Sequence, residues 1–304
     1  MKVSIINKFI SVFKKPSKII LLLAGKNIIK MSDCDYLKLR YKCTFNKELN
    51  LDDPSTFNEK LQWLKLNDRK KIYTNMVDKY EVKKFVSNII GEKYIIPTLG
   101  IYDSVDEIDF ESLPNQFVIK CTHDSGGLAI CKDKKNFNTQ EAVIKINKSL
   151  KKNYYYSGRE WPYKNVKPRI IVEKYMEDDE ISELRDYKFF CFNGEPKIFK
   201  IDFNRYTNHQ ANYYNIDGNL LKFGERVCPP DFNKKIAMPK NLTTMIKFAR
   251  KLSRDIPFLR VDFYETNGNI YFGELTFFPA SGFGKFEPEE WDKKIGEWLV
   301  INKQ

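Results

Sequence analysis

Phe258-Leu259-Arg260-Val261-Asp262-Phe263-Tyr264-Glu265, then Thr266-Asn267-Gly268-Asn269, then Ile270-Tyr271-Phe272-Gly273-Glu274-Leu275-Thr276-Phe277 is the stretch whose reading decides the fold. Two runs rich in β-branched and aromatic residues, joined through Asn-Gly, read as a hairpin, because a tight turn needs the left-handed backbone that Asn and Gly tolerate. Alternation puts Leu259, Val261, Phe263, Tyr271, Leu275 and Phe277 on a core-facing side. Arg260, Asp262, Tyr264, Phe272, Glu274 and Thr276 then share the other side. With a three-residue loop at Asn267 to Asn269, Asp262 stands opposite Glu274, where cross-strand Cβ atoms are about 5 Å apart. Carboxylates that close repel unless a cation or a proton lies between them. A solvated hairpin face would tolerate the pair, but Phe272, Phe277, Phe278 and Pro279 around it argue for a drier one. Oxygen-only ligands suit Mg²⁺ or Mn²⁺ rather than zinc, with a substrate phosphate completing the octahedron.

Outward from this hairpin the same pattern repeats. Asp186–Phe192 and residues 196–203 flank Asn193-Gly194, and residues 116–121 and 128–132 flank Thr122-His123-Asp124-Ser125-Gly126-Gly127. Residues 169–175 form a further strand. The run Phe117-Val118-Ile119-Lys120 ends in a lysine, and Ser125-Gly126-Gly127 would let backbone N–H groups approach a phosphate. Alone, a glycine-containing turn reads equally as a β-turn beside an exposed lysine. Neither G-x-x-x-x-G-K-[ST] nor a helix-opening G-x-G-x-x-G occurs, which excludes P-loop and Rossmann readings. Helices are expected over 44–67, over 74–90 with Thr74 or Asn75 as N-cap and Gly91 as stop, and over 139–151 and 241–254. Neighbouring hairpins with few strand-helix-strand crossovers give an α+β fold with largely antiparallel sheets.

The 304 residues are 42% hydrophobic and 14% aromatic, which excludes disorder, and the formal charge of +12 favours anionic partners. Six cysteines without a C-x-x-C pair, and only His123 and His209 beside them, assemble no zinc spacing and point to a reduced, cytoplasmic setting. Residues 1–32 hold seven lysines and no acid around the apolar run 19–24, which is too short to span a bilayer. Two readings stand: peripheral contact of residues 1–30 with the inner membrane face, or an ordinary helix with solvated lysines, which is favoured because charge runs are usually solvated faces. Tyr154-Tyr155-Tyr156 beside Lys151-Lys152 could stack bases, yet suits an anionic glycan equally, so no nucleic-acid partner is assigned.

Asp78-Lys79, Lys120 before its Gly-containing loop, Ile170-Ile171-Val172-Glu173-Lys174-Tyr175-Met176, and Arg260-Val261-Asp262 followed by Glu274-Leu275-Thr276 resemble, in this order, the ATP-grasp superfamily. Lys60-Leu61-Gln62-Trp63-Leu64-Lys65, Asp186-Tyr187-Lys188-Phe189-Phe190-Cys191-Phe192-Asn193-Gly194 and Phe272-Gly273-Glu274-Leu275-Thr276-Phe277 extend the resemblance to its TupA-like branch, found among bacterial cell-surface polysaccharide genes. The resemblance implies two α+β lobes holding ATP between them, with a basic segment over 1–35, a helical region over 36–75 and the ATP-grasp domain over 76–304. It places Lys120, Ser125, Gly126 and Gly127 on the phosphates and Glu173, Lys174, Tyr175 and Met176 at an inter-lobe hinge beside adenine. It leaves Glu180 and Glu183 as alternatives for the ribose. Lys188 and Arg205 fall as γ-phosphate or acyl-phosphate contacts, Arg260 as a catalytic cation, and Asp262 and Glu274 as metal ligands. Thr276 stands where many relatives have Asn, which leaves one ion or two open. The implied reaction is ATP- and Mg²⁺-dependent joining of a carboxylate, such as a uronic acid of a glycan or lipid-linked precursor, to an amine, such as an amino acid, through an acyl-phosphate. A kinase on the same scaffold and a non-catalytic binder of anionic glycan are the alternatives. His123 could serve as the base, against a plainly structural loop histidine.

Overall fold

The computed structural model describes residues 16–177, 184–205 and 207–302. Among them the helices are α1 Pro16–Gly25, α2 Asp33–Phe45, α3 Phe57–Asn67, α4 Ile72–Val77, α5 Glu81–Ile90, α6 Thr139–Leu150, α7 Tyr155–Gly158, α8 Leu242–Leu252 and α9 Glu290–Trp298. The strands are β1 Thr98–Tyr102, β2 Phe117–Cys121, β3 Leu128–Cys131, β4 Ile170–Lys174, β5 Asp186–Phe192, β6 Glu195–Phe203, β7 Gln210–Asn215, β8 Leu220–Leu221, β9 Gly224–Glu225, β10 Phe258–Thr266, β11 Asn269–Thr276 and β12 Phe286–Glu287. They form a four-stranded sheet β1-β4-β2-β3, a six-stranded sheet β11-β10-β5-β6-β7-β8 and the pair β12-β9, every pairing antiparallel. This is the mixed α+β arrangement that the ATP-grasp resemblance implies, with helices leading into the sheets.

The large sheet packs apolar side chains on both faces. Phe189, Phe199, Val261, Phe263 and Leu275 alternate inward and are fully buried or nearly so. On its other side Phe57 of α3 meets Phe258 edge-on at 4.9 Å, a geometry worth about 1 kcal/mol beyond the area buried. Residues of α3, α4 and α5, among them Phe57, Leu61, Met76 and Val86, belong to this same core. A second core under the four-stranded sheet joins Phe117, Ile119, Ile146, Ile170 and Val172. A third holds Ala24 of α1 against Tyr36, Leu37 and Phe283. The segment entering β1 reaches the large sheet where Ile95 bridges Phe272, and within the small sheet Lys174 N donates to Pro97 O at 3.0 Å at the end of β4. Thr266 Oγ1 tethers the departing segment by donating to Glu177 O at 2.6 Å.

The expected strands and the 139–151 and 241–254 helices match observed elements, with shifted ends. Two long helices do not survive. The 44–67 span ends α2 at Asn46 in the left-handed conformation (φ 57°) and restarts at Thr56, whose hydroxyl accepts from Glu59 N while Glu59 reaches back to Thr56 N. That reciprocal pair satisfies two helix-end donors that a continuous helix would not expose. The 74–90 span breaks at Asp78, whose carboxylate accepts from Tyr80 N at 2.8 Å and Glu81 N at 3.3 Å. Thr74 and Asn75 therefore lie inside α4, not at a cap, while Gly91 does end α5, at φ 111°. The connection of β10 to β11 is a two-residue turn, Asn267 at φ 50° and Gly268 at φ 74°, shorter than expected. A bulge between Asp262 and Phe263 restores the offset, so Asp262 still faces Glu274. The same bulge turns Phe272 into the core beside Phe263 instead of toward the carboxylates.

Candidate functional site

A cleft of about 290 Å³ runs between the sheets. Lys79, Lys83, Lys120, Asp124, Ser125, Gly127 and Glu173 line one wall, and Arg205, Tyr264, Gly273 and Glu274 the other. Lys120 closes β2, and its Nζ lies 2.6 Å from Glu173 Oε2; Lys83, reaching from α5, takes Glu173 Oε1. Burial alone would hold the Glu173 proton on, but the two lysines outweigh it and keep its pKa below the usual range. One glutamate is thus shared by two lysines, and one positive charge is left over. Glu173 itself lies in the ladder between β1 and β2, so its contribution comes through the carboxylate. Lys174, Tyr175 and Met176 carry the chain from β4 toward β5, partly exposed. Glu180 and Glu183 fall outside the described residues.

The Gly-containing turn is built differently from the sequence expectation. Gly127 is buried, a Cβ there would lie 2.5 Å from Cys121 Sγ, and its N–H is taken by Asp124 at 3.0 and 3.1 Å. Its amide is therefore not open to a phosphate, while Ser125 and Gly126 remain exposed at the lip. His123 is 2% exposed, its Nε2 lying 3.2 Å from Ser149 O and 3.1 Å from Lys152 O. Burial pushes its pKa down. It is a structural loop histidine, and its role as a base falls.

On the opposite wall the side chains form rows across the large sheet. Glu274, Asp262, Lys188 and Lys200 stand in register on four consecutive strands, and Tyr264, Asp186 and Asp202 form the next row. The Asp186 to Asp202 step follows from their adjacency to Tyr187 and Ile201 in the ladder. Arg260 donates Nε and Nη2 to Asp262 at 2.7 and 2.6 Å, and Nη2 also to Glu274 at 2.6 Å. Thr276 Oγ1 donates to Glu274 at 3.2 Å. Arg205 and Lys188 both reach Asp186, Lys188 at 3.6 Å, and Lys188 bonds Asp202 as well. Behind them Lys200 pairs with Glu225 at 2.9 Å.

The electrostatics of that wall are unbalanced. Burial, then the charge of Glu274, lifts Asp262 to a pKa of about 7 despite Arg260. Glu274, with 48% of its side chain exposed to the cleft, is held low by Arg260, Lys79 and Lys188 against its own desolvation. Two carboxylates and a threonine hydroxyl offer oxygens only, the donor set of a hard divalent ion. Among the described residues no group of three or more His, Cys, Asp or Glu could hold a metal, so such an ion would need oxygens from a bound phosphate.

The structure gathers Lys120, Glu173, Arg205, Ser125, Gly127 and Glu274 into one cleft and sets Arg260, Asp262, Lys188 and Thr276 directly behind or beside Glu274. Lys83, Asp186, Lys200, Asp202 and Glu225 went unread in the sequence. Lys83 had a signal in Lys79-x-x-x-Lys83, a four-residue spacing that straddles the start of α5. Lys200-x-Asp202 mirrors Asp186-x-Lys188 across the Asn193-Gly194 hairpin, the signature of a charged strand face.

The TupA-like ATP-grasp family model matches residues 59–300. Among solved structures, D-alanine–D-alanine ligase from Bacillus anthracis complexed with ATP is similar at 14% identity and TM-score 0.38, over 66% of this chain and 53% of that one. D-Alanine–D-alanine ligase from Helicobacter pylori is similar at 13% identity and TM-score 0.43, over 81% and 70%. N5-carboxyaminoimidazole ribonucleotide synthetase from Thermus thermophilus follows at 12% and TM-score 0.36, over 66% and 45%. The chain spans 53% and 59% of the two B. anthracis ligase structures it resembles. No curated protein matches in sequence.

Proposed function

We propose, for a chain that belongs to the TupA-like ATP-grasp family and has the ATP-grasp fold, that it is an ATP-dependent ligase that activates a carboxylate as an acyl-phosphate and passes the acyl group to an amine, forming an amide. The observation that carries this reading is the pattern of shared charges about one cleft: Lys83 and Lys120 share Glu173 on one wall, and Arg260, just behind the other wall, holds both Asp262 and Glu274. Phosphoryl transfer is mostly positioning and neutralisation, so it needs cations around phosphate and carboxylates only around metal.

In this reading Lys83 and Lys120 leave Glu173 in part to hold phosphate oxygens, and Ser125 and Gly126 close the lip over them. Lys174, Tyr175 and Met176 flank the base, and Glu180 or Glu183 takes the ribose. Asp262, Glu274 and Thr276 would hold Mg²⁺, which supplies charge neutralisation between the terminal phosphates when bound. Arg260 fixes both carboxylates in place and offers its remaining donor capacity to the transferred group. Lys188 and Arg205, already drawn to one carboxylate, Asp186, stand where the acyl-phosphate would form. The acceptor is a uronic acid of a cell-surface polysaccharide or its precursor, and the amine an amino acid. The net charge of +12 suits such an anionic acceptor. On α1, Lys18, Ile20 and Leu22 are exposed, as is Lys26 just after it, which favours weak contact with an anionic lipid surface where such precursors are carried.

The test is phosphate release from ATP with glucuronate or galacturonate, with and without amino acids, and hydroxylamine as a trap. A hydroxamate with ADP supports the ligase. A stable phosphorylated sugar with no amine requirement makes the protein a kinase, and no ATP turnover or binding at all leaves a glycan-binding protein.

A further inference from the structure

The Lys60-Leu61-Gln62-Trp63-Leu64-Lys65 stretch of α3 carries part of the family resemblance, yet none of its residues lines the cleft. Leu61 and Leu64 belong to the core, and Lys60 donates to Gly296 O and Leu299 O at the end of α9, both at 2.8 Å. Gln62 and Lys65 are polar and 0% exposed. Lys65 Nζ donates to Ser281 O at 2.7 Å and to Gly158 O at 2.8 Å, and Gln62 Nε2 donates to Gly282 O at 2.5 Å. Gln62 Oε1 accepts from Lys65 Nζ at 2.9 Å, so the two side chains brace each other. The charge of Glu160, itself buried, offsets that of Lys65.

What this pair holds is strained. Ala280, Ser281 and Gly282 follow one another at φ 48°, 55° and 64°, a left-handed turn that only glycine enters without steric cost. Such strain persists where the surroundings over-determine it, and it concentrates at functional sites. The turn begins four residues after Thr276, and Ala280 is exposed. Gly158, the second stretch held by Lys65, is pressed against it, since a Cβ there would collide with Ser281 Oγ. From Gly158 the chain leads back to Tyr154, whose hydroxyl lies 3.5 Å from Ser125 Oγ on the cleft lip, and on to Tyr163, whose ring meets that of Tyr154 at 4.8 Å. Both rings are half-buried. Burial, then the charges of Glu160 and Glu274, push both hydroxyl pKa values up, so the pair lies within reach of both carboxylates.

Resting on the ligase reading, we infer that Gln62 and Lys65 are positioning residues for the carboxylate acceptor. By stapling the 280–282 turn to the 154–163 segment they fix a shelf beside Glu274 on which the acceptor sugar lies. A pyranose presents an apolar face of C–H groups edged by hydroxyls, and Tyr154 and Tyr163 answer it with flat apolar rings edged by hydroxyls. The sugar's carboxylate then reaches along the row of Glu274, Asp262 and Lys188. The lysines and glutamate that face ATP stand on other elements, α5, β2 and β4. Gln62 and Lys65 touch neither substrate, and act through the turn and the tyrosines.

The experiment separates the two substrates. Full-length protein is given ATP, Mg²⁺, hydroxylamine and glucuronate or galacturonate, and hydroxamate is measured as ATP and the uronate are varied in turn. Lys65→Met and Gln62→Leu remove the donors while filling the space. Each should raise the KM for the uronate about tenfold or more, with the KM for ATP and the melting shift given by Mg·ATP within about twofold of wild type. Tyr154→Ala, at the lip and not in the core, should do the same, and stands in for the buried variants if they do not fold. Ala280→Gly takes away the strain that the donors oppose, so adding it to Lys65→Met or Gln62→Leu should recover most of the lost uronate affinity, which residues serving the core alone would not show. Equal losses for ATP and uronate, an unchanged uronate KM in Gln62→Leu and Tyr154→Ala, or no recovery with Ala280→Gly overturn the inference while leaving the ligase intact. A wild-type protein that makes no hydroxamate from any uronate removes the ligase reading, and this inference with it.

Discussion

The two walls of the cleft solve opposite electrostatic problems with the same residue types. On the four-stranded wall, Lys83 and Lys120 share Glu173, two positive charges against one negative. On the six-stranded wall, Arg260 shares Asp262 and Glu274, one against two. Each trio, with Asp262 ionised, is one charge short of balance, in opposite senses. At about 4 Å and an effective dielectric near 20, one such charge is worth about 4 kcal/mol to a ligand of the right sign. The difference teaches that ligand choice here lies in the remainder left after internal pairing, since a fully paired wall would attract nothing.

Removing the negative remainder should have the largest effect. Asp262→Asn or Glu274→Gln should cut turnover by at least about a hundredfold, ~2.7 kcal/mol in barrier height, and flatten its Mg²⁺ dependence. Wild-type turnover in either variant would make the six-stranded wall a bystander. Next comes the positive remainder. Mg·ATP at a hundredfold excess over its Kd should stabilise the protein by about 2.7 kcal/mol, and Lys120→Ala should abolish most of that shift in thermal melting. Glu173→Gln sharpens the point: the ligand-free protein should melt lower, with two lysines uncompensated, yet gain more from Mg·ATP than wild type does.

A smaller effect lies in pH. Because Asp262 is raised to a pKa of about 7, the folded state holds a proton that the unfolded chain releases near pH 4. Its contribution to stability is complete below about pH 4 and lost as pH rises toward 7. The melting temperature of Asp262→Asn relative to wild type should therefore become more favourable between pH 4 and pH 8. Millimolar Mg²⁺ with ADP should remove that trend. The smallest effect concerns α1: co-sedimentation with phosphatidylserine vesicles should be weak and fall with salt, each lysine contributing at most about 1 kcal/mol. Deleting residues 1–30 should abolish it; a truncated protein that melts early would show that Ala24 and its neighbours serve packing alone.

Parts of the site were legible because they rest on short-range rules. Asn193-Gly194 and Asn267-Gly268 announce their hairpins since few residues accept positive φ, and the registers follow from the turns. Even so, the pairing of Asp262 with Glu274 was reached from a loop one residue too long, and holds only because a bulge compensates. Phe272 shows the cost: strict alternation assigns it to the site, and the bulge sends it to the core. Gly127 reads as a phosphate-approaching glycine, whereas its missing Cβ makes room for Cys121 and Ser149.

The sequence by itself determined the hairpins, the α+β class, the family resemblance and which cations and carboxylates exist to be used, because turn chemistry and side-chain alternation act over a few residues. Only the tertiary structure decided which charges meet. Lys83 finds Glu173 across 90 positions of chain by the stacking of sheets and helices. Net charge at a wall is a property of that meeting, since desolvation and pairing over a few ångströms set each group's ionisation, and neither is encoded in the spacing of residues along the chain.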